Sequence, residues 1–307
     1  MRKNAMIALG VVALLVAGIA DARPGDRLRE RIAERTGVDS TPAAPRSTVR
    51  FTYGSDPDQI GDLWNGFAEG QPPRPLILFV HGGGWKRGSK DSATGSWKPQ
   101  HFPAEGYAFA SINYRLVPAA TVEQQADDVA HALKALLDQS QMLGIDRHRV
   151  VLMGHSAGAH LVALVGSDER YLRAAGLTFA DIKGVIPIDG AAYDVPAQMQ
   201  DGPPIMQTTY RQAFGTDPVR QRALSPTLQA AAPNAPAFLL LHVQRPDGVR
   251  QAQALGAALT SAGTRVEFGS FPGEGLQGHA EINRRLGDPA YAATPVVDRW
   301  LKGLFGR

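Results

Sequence analysis

The sequence predicts an α/β fold in which helices cover both faces of a mostly parallel sheet. Segments that read as strands alternate with segments that read as helices along most of the chain. Several of the strand segments, such as PLILFV at residues 75–80, are apolar at every position, as expected for strands buried on both faces. A chain of 307 residues with 44% hydrophobic residues is long enough to bury a large core.

The elements follow one another from Val49 to Leu304. The predicted strands lie at residues 49–54, 75–80, 107–114, 149–154, 184–189, 237–243 and 265–271. The predicted helices lie at residues 122–136, 156–166, 249–261, 280–286 and 290–304. Apolar residues at three-to-four spacing, as at Val122, Ala126 and Val129, predict the helices.

Residues 190–236 interrupt this alternation. The segment contains seven prolines together with Met199, Met206 and Tyr210. Insertions of this length in compact domains are seldom without a role, so we expect an irregular cover over a functional site.

The chain divides into three parts at sequence level. Arg2 and Lys3, an uncharged apolar run and the small-x-small pattern ending at Ala22 predict a signal peptide at residues 1–22, cleaved after Ala22. Residues 23–47, rich in Arg, Glu, Pro and Ser, predict a flexible arm, and residues 48–307 are expected to form the α/β domain. This organisation predicts a periplasmic or secreted protein without stable membrane insertion after cleavage.

Composition excludes several function classes. The formal net charge of +3 gives no indication of nucleic acid binding. The chain has no cysteine, which excludes disulfides, thiolate metal sites and a cysteine nucleophile. Nothing in the sequence indicates an oligomeric state.

The stretch Gly154-His155-Ser156-Ala157-Gly158 follows a predicted strand and begins a predicted helix. A turn this tight leaves no room for side chains at the two glycines and lifts the serine hydroxyl clear of the sheet. The N-terminus of the helix then directs its amides at charge that forms beside the serine. Ser156 is therefore predicted to be a nucleophile.

A second glycine-rich stretch, His81-Gly82-Gly83-Gly84-Trp85, directly follows the strand at residues 75–80. Glycines allow backbone N–H groups to approach a substrate, which is how an oxyanion is stabilised. We expect the amides of Gly83, Gly84 and Ala157 to be the donors. His81 is expected to hold the loop.

A nucleophilic serine needs a histidine base and an acid that orients it. In hydrolases with this strand–turn–helix motif the chain order is serine, acid, histidine, which leaves His242 and His279 as candidate bases. His279 follows the last strand in a glycine-rich loop, so we predict it to be the base. The acid is predicted to be Asp247, in a turn between Pro246 and Gly248, with Asp189 and Glu274 as alternatives.

Together these motifs resemble those of the α/β-hydrolase superfamily, and most closely its carboxylesterase branch with an H-G-G-G-[WY] loop. That branch includes feruloyl-esterase-like (BD-FAE-like) proteins and kynurenine formamidases. The stretches that carry the resemblance are His81–Trp85, INYRLVP at residues 112–118, Gly154–Gly158, LSP at residues 224–226 and Gly278-His279. One departure is His242-Val243, where the family usually has His-Gly ahead of the acid.

The resemblance implies an α/β-hydrolase fold and a serine esterase that acts on a small-molecule ester without metal or organic cofactor. Trp85 and His155 are expected to contact the substrate. Two alternatives remain open: an amide or formamide hydrolase with the same three residues, and a non-catalytic binding protein built on the same fold.

Overall fold

The computed structural model describes residue 45 and residues 48–306. The predicted signal peptide and most of the predicted arm lie outside the described residues. No helix within the described residues has the length and apolar character needed to span a membrane.

The described residues form a sheet of eight strands. The strands are β1 (Val49–Thr52), β2 (Ile60–Trp64), β3 (Arg74–Val80), β4 (Ala108–Ile112), β5 (Ile145–His155), β6 (Gly184–Ile188), β7 (Ala237–Gln244) and β8 (Arg265–Glu274). Their order across the sheet is β1-β2-β4-β3-β5-β6-β7-β8. β2 is antiparallel to both β1 and β4, and all other neighbouring strands are parallel. The predicted mostly parallel sheet is therefore confirmed.

Helices connect the strands. They are α1 (Lys98–Ala104), α2 (Val122–Asp138), α3 (Ser140–Leu143), α4 (Ala157–Ser167), α5 (Glu169–Ala174), α6 (Val195–Asp201), α7 (Gln207–Phe214), α8 (Pro218–Ala223), α9 (Pro226–Gln229), α10 (Pro246–Ser261), α11 (Gly275–Arg285) and α12 (Ala293–Phe305). Short 3₁₀ turns lie at Phe179–Asp181 and Pro204–Met206.

Side chains of successive residues in β3 point to opposite faces of the sheet. Leu76, Leu78 and Val80 belong to a core shared with α2, α4, α7 and α10. Ile77 and Phe79 belong to a second core shared with α1, α11 and α12. Both faces of the sheet are thus covered by helices, which explains why the strand is apolar at every position.

The sequence patterns did not predict β2, α1, α3 or α5. β2 has the sequence IGDLW, and its buried Asp62 pairs with Lys90 at 2.6 Å and with Arg50 at 2.9 Å. This buried charge interrupts the apolar pattern that marks the other strands. α1 contains prolines at its second and sixth residues, which act against recognition of a helix from sequence.

The prediction that residues 190–236 are irregular was wrong. The segment consists of α6 to α9 and one 3₁₀ turn, joined by short loops. In four of these elements a proline occupies the first or second position, where its missing N–H leaves no hydrogen bond unmade. The prolines in this segment therefore begin helical turns. Their high frequency is the reason why the sequence predicts an irregular structure here.

Candidate functional site

Ser156 lies in a strained turn between β5, which ends at His155, and α4, which begins at Ala157. Its backbone has φ 56° and ψ −116°, a conformation that a non-glycine residue seldom adopts. A Cβ on Gly154 would lie 2.3 Å from the carbonyl oxygen of Gly158, and a Cβ on Gly158 would lie 2.1 Å from that of Val80. The glycines on either side of Ser156 therefore allow the close backbone approach that the sequence predicts.

The imidazole of His279 reaches this serine. Nε2 of His279 lies 3.0 Å from Oγ of Ser156. The sequence predicts that His279 lies in a loop, but it lies in the second turn of α11. The chain turns sharply from β8 into α11, which brings Gly278 close to the backbone of Gly273. A Cβ on Gly278 would lie 2.4 Å from the carbonyl carbon of Gly273, so only glycine fits at this position.

The carboxylate that contacts His279 is that of Asp189. Its Oδ2 lies 2.6 Å from Nδ1 of His279, and its side chain is fully buried. The prediction that Asp247 would take this place is wrong as to geometry. Asp189 is one of the two alternatives that the sequence offers for this position.

The register of the sheet explains the position of Asp189. In the parallel pair β5·β6, His155 pairs with Ile188, so the residues that follow them, Ser156 and Asp189, lie side by side. The amide of Asp189 donates to the carbonyl of Leu241 at 2.7 Å, and its Oδ1 accepts from the amide of Val243 at 3.2 Å. These contacts with β7 fix the carboxylate at the carboxyl end of the sheet.

Charge and hydrogen bonding keep Asp189 ionised. Burial alone would raise its pKa, but the hydrogen bond with His279 and the positive charge of Arg245 outweigh burial and lower the pKa to about 2. Nε of Arg245 lies 3.3 Å from Oδ2 of Asp189. A carboxylate that stays ionised beside Nδ1 can orient the imidazole and stabilise its protonated form.

Asp247 is held away from His279 by the way β7 ends. β7 continues through Gln244, and Pro246 then begins α10, so Asp247 lies in the first turn of that helix. Its Oδ2 accepts from Nη1 of Arg245 at 2.8 Å and from Nε2 of Gln198 at 3.0 Å. Arg245 thus lies between the two carboxylates and binds both.

His155 lies behind His279 and does not line the cavity next to Ser156. Its Nε2 lies 2.9 Å from the carbonyl oxygen of His279, and the two rings are 4.5 Å apart. Because a carbonyl only accepts, Nε2 of His155 carries the proton. Burial, and then the nearby charge of His279, lower the pKa of His155 well below its ordinary value, so it stays neutral. We had expected His155 to contact substrate, and its contacts instead fit a residue that positions His279.

The HGGGW loop passes directly over the serine. A Cβ on Gly82 would lie 2.9 Å from Cβ of Ser156. Gly83 and Gly84 have φ values of 134° and 62°, both in the region that favours glycine. Gly84 and Ala157 line the cavity beside Ser156, while Gly83 packs against the carbonyl of Arg87.

His81, at the start of this loop, has structural contacts. Its ring stacks on Tyr114 with centroids 4.4 Å apart, and Nδ1 lies 2.7 Å from the carbonyl of Gly82. Burial lowers the pKa of His81 to about 4. These contacts fit the expectation that His81 holds the loop in place.

Trp85 is almost fully buried and forms part of the cavity wall. Its indole N–H donates to Nδ1 of His160 at 3.3 Å, and its ring packs edge-on against Phe214 at 4.7 Å. Nε2 of His160 in turn lies 2.8 Å from the carbonyl of Leu224. The indole is therefore fixed in one orientation before any substrate arrives.

The cavity beside Ser156 has a volume of about 320 Å³. The segment predicted to be a cover provides Pro203, Ile205, Met206 and Tyr210 to its wall. Between residues 48 and 306 no three His, Asp or Glu side chains are grouped so that they could bind a metal ion.

The family model for BD-FAE matches residues 66–255, which include the HGGGW loop, Ser156 and Asp189. The chain belongs to the BD-FAE family.

Two curated relatives are esterase LipC of Mycobacterium tuberculosis and ethyl acetate hydrolase of Pseudomonas putida. LipC is 29% identical over 257 residues, covering 79% of this chain and 62% of LipC. The ethyl acetate hydrolase is 28% identical over 208 residues, covering 64% of each chain. This BD-FAE chain matches slightly less than two thirds of the length of these relatives.

Among solved structures, esterase B of Lactobacillus rhamnosis superposes on this BD-FAE chain with a TM-score of 0.67. The alignment covers 91% of each chain at 19% sequence identity. Similarity at this level of identity establishes the α/β-hydrolase fold, as the sequence motifs implied.

Sequence reasoning missed Arg245 as a member of the site. Arg245 is 9% exposed and donates to Asp189, to Asp247 and to the carbonyl oxygen of Gly190. The available signal was its position in the sequence. Arg245 directly follows a buried strand and lies two residues before Asp247, a candidate acid.

Proposed function

We propose that this protein is a serine carboxylic-ester hydrolase in which Ser156, His279 and Asp189 form the catalytic triad. The observation that carries the proposal is one continuous chain of hydrogen bonds. It runs from Oγ of Ser156 through both ring nitrogens of His279 to Oδ2 of Asp189, at 3.0 Å and 2.6 Å. Ser156, at one end of this chain of hydrogen bonds, lines a cavity that can accept a substrate.

In the first half of the reaction, Oγ of Ser156 attacks the ester carbonyl carbon and Nε2 of His279 takes its proton. The carbonyl oxygen becomes an oxyanion, which we propose is bound by the amides of Gly83, Gly84 and Ala157. The tetrahedral intermediate then collapses. The C–O bond breaks, the alcohol leaves with the proton from His279, and an acyl group remains on Ser156.

In the second half, water attacks the acyl carbon while His279 again takes a proton. Collapse of the second tetrahedral intermediate releases the carboxylic acid and returns the proton to Ser156. Throughout both halves, Asp189 accepts a hydrogen bond from Nδ1–H of His279. Because it stays ionised, it holds the ring in the productive tautomer and stabilises the imidazolium.

The names of the relatives support ester substrates: one is an esterase and the other an ethyl acetate hydrolase. The apolar side chains around the cavity also suit the acyl or alcohol part of a small ester. We therefore favour ester over amide hydrolysis, although the same three residues serve both reactions.

Labelling with a fluorophosphonate tests the nucleophile, because only an activated serine reacts with it. The wild-type protein is expected to label and Ser156→Ala is expected not to. Ser92→Ala, which changes an exposed serine in a neighbouring loop, is the matched control and is expected to label fully. Labelling of Ser156→Ala at the wild-type level would contradict the proposal.

A substrate panel tests the reaction class. p-Nitrophenyl esters of increasing chain length are compared with the corresponding p-nitroanilides and with aryl formamides. We expect hydrolysis of the esters at rates well above those of the amides. Activity on the amides or formamides with none on the esters would overturn the assignment as an esterase.

A further inference from the structure

The cavity beside Ser156 has a mostly apolar wall with two charged side chains, Asp247 and Arg245, which form an ion pair. Trp85, Pro203, Ile205, Met206, Pro246 and Leu276 form the apolar part of the wall. Ile205 and Leu276 are 78% and 64% exposed, which places them at the mouth. Asp247, beside Arg245 and Tyr210, also lines the cavity, although it is only 7% exposed.

Only one oxygen of the Asp247 carboxylate is used by the protein. Oδ2 accepts hydrogen bonds from Arg245 and Gln198. Oδ1 accepts no hydrogen bond from any side chain or backbone group in the described part of the chain. Asp247 lines the cavity, so this unused acceptor is a position where a hydrogen-bond donor of a ligand would be stabilised.

The charge of Asp247 is only partly compensated. Its cation, Arg245, is shared with Asp189 and also donates to the carbonyl oxygens of Asp189 and Gly190. Two carboxylates therefore share one guanidinium at the edge of the cavity. The excess negative charge favours a cation or a hydrogen-bond donor in the cavity and disfavours an anion.

Gln198 fixes this arrangement from the cover. Its Nε2 donates both to Oδ2 of Asp247 and to the hydroxyl oxygen of Tyr210, at 3.0 Å and 2.9 Å. The carboxylate is thereby held between α6 and α10 in a fixed orientation. A rigid acceptor of this kind discriminates among ligands more strongly than a mobile surface carboxylate does.

We propose that Asp247 is a specificity-determining residue. It selects esters that carry a hydrogen-bond donor, an ammonium or a hydroxyl group, on the half of the ester that lies in the cavity. The inference rests on the proposed function, because it assigns the substrate class of the same site. A donor that reaches Oδ1 replaces the water lost on binding, whereas an apolar group at that place leaves Oδ1 without a hydrogen bond.

Matched esters test the proposal. Two series of increasing chain length are used, one with the varied chain on the acyl side and one with it on the alcohol side. Each chain ends in a methyl, a hydroxyl, an ammonium or a carboxylate group. In the wild-type protein, kcat/KM at the best chain length is expected to be about tenfold or more higher for the ammonium ester than for the methyl ester. The carboxylate ester is expected to be the poorest of the four.

Asp247→Asn is the decisive variant. An asparagine side chain has the same shape, and its oxygen can still accept from Arg245 and Gln198, which leaves an NH₂ group facing the cavity. The ammonium-to-methyl ratio is expected to fall by about tenfold or more, and the carboxylate ester is expected to improve relative to the others. Asp201→Asn, at the exposed end of α6, is the control and is expected to keep the wild-type ratios.

Failure of the inference about Asp247 can be distinguished from failure of the proposed esterase function. If the wild-type protein hydrolyses methyl-terminated esters but shows no preference for the ammonium ester in either series, the inference is overturned and the proposed function stands. An unchanged ratio in Asp247→Asn overturns it as well. Binding of the same esters to Ser156→Ala, measured by calorimetry, gives a readout that does not need turnover, and equal affinity for all four end groups would also overturn the inference.

Discussion

Oδ2 of Asp189 lies 2.6 Å from Nδ1 of His279, while the carboxylate of Asp247 is bound to Arg245 and Gln198 instead. Both aspartates follow buried strands at the carboxyl edge of the sheet, yet only one of them reaches the imidazole. Substitutions of the two aspartates can therefore distinguish the effect of orienting the His279 ring from the effect of a second negative charge in the site.

Asp189→Asn is expected to lower kcat by about a thousandfold or more, because an amide at this position no longer stabilises the productive tautomer or the imidazolium of His279. Asp247→Asn is expected to lower kcat for a methyl-terminated ester far less. Steady-state kinetics with one p-nitrophenyl ester measures both. Equal losses in the two variants, or a larger loss in Asp247→Asn, would show that Asp189 is not the acid of the triad.

The turn at Ser156 could be predicted because its determinants are local. A glycine on each side of Ser156, an apolar strand before it and a helix after it are all present within sixteen residues of sequence, from Val150 to Val165. His279 could be found by chain order and by its place after the last strand. Both residues meet in the structure, at 3.0 Å.

The aspartate that contacts His279 could not be selected from local sequence, because its position depends on how far each strand extends. Asp189 directly follows Ile188, the partner of His155 in the sheet register, and this places it beside Ser156. Asp247 lies three residues beyond the end of a longer strand, within a helix that Pro246 begins. Strand ends and relative registers are set by packing of the whole sheet, so composition around either aspartate carries little information about them.

His155→Phe is expected to lower kcat by about tenfold to a hundredfold with little change in KM. The substitution keeps a ring against His279 but removes the N–H that donates to the backbone of His279, so the base is less well positioned. His148→Phe, at an exposed position of the same strand, is the control. A rise in KM with an unchanged kcat would indicate contact with substrate, as first expected for His155.

The free energy of unfolding is expected to fall as the pH decreases from about 6.5 to about 4. Burial lowers the pKa of His81 and of His160 to about 4 in the folded protein. In the unfolded chain a histidine has a pKa of about 6.5, so within this window the unfolded state binds more protons and gains stability relative to the folded one. The loss is on the order of 3 kcal/mol for each buried histidine. Asp189, whose pKa is lowered to about 2, adds a further loss only below about pH 4.

Urea unfolding at a series of pH values checks this dependence. His160→Gln removes one titrating group while its amide can still donate to the carbonyl of Leu224, so its stability is expected to fall less steeply with decreasing pH. His131→Gln, at an exposed position on α2, is expected to keep the wild-type slope. The same slope in all three proteins would contradict a contribution from burial of His160.

Gly158→Ala is expected to destabilise the fold by more than about 3 kcal/mol. The new methyl group would lie 2.1 Å from the carbonyl oxygen of Val80 and 2.6 Å from that of His81. Both are backbone atoms at the end of β3, which cannot move aside without displacing the HGGGW loop. Gly303→Ala provides the opposite case: Gly303 is exposed in the last turn of α12, and no atom lies within 4 Å of the added carbon. The alanine there is expected to stabilise the protein by about 1 kcal/mol, because it has the higher helix propensity. Urea unfolding of the two variants measures both changes. A Gly158→Ala protein as stable as the wild type would show that the backbone around Ser156 can make room for the added methyl group, which would contradict close packing of β3 against α4.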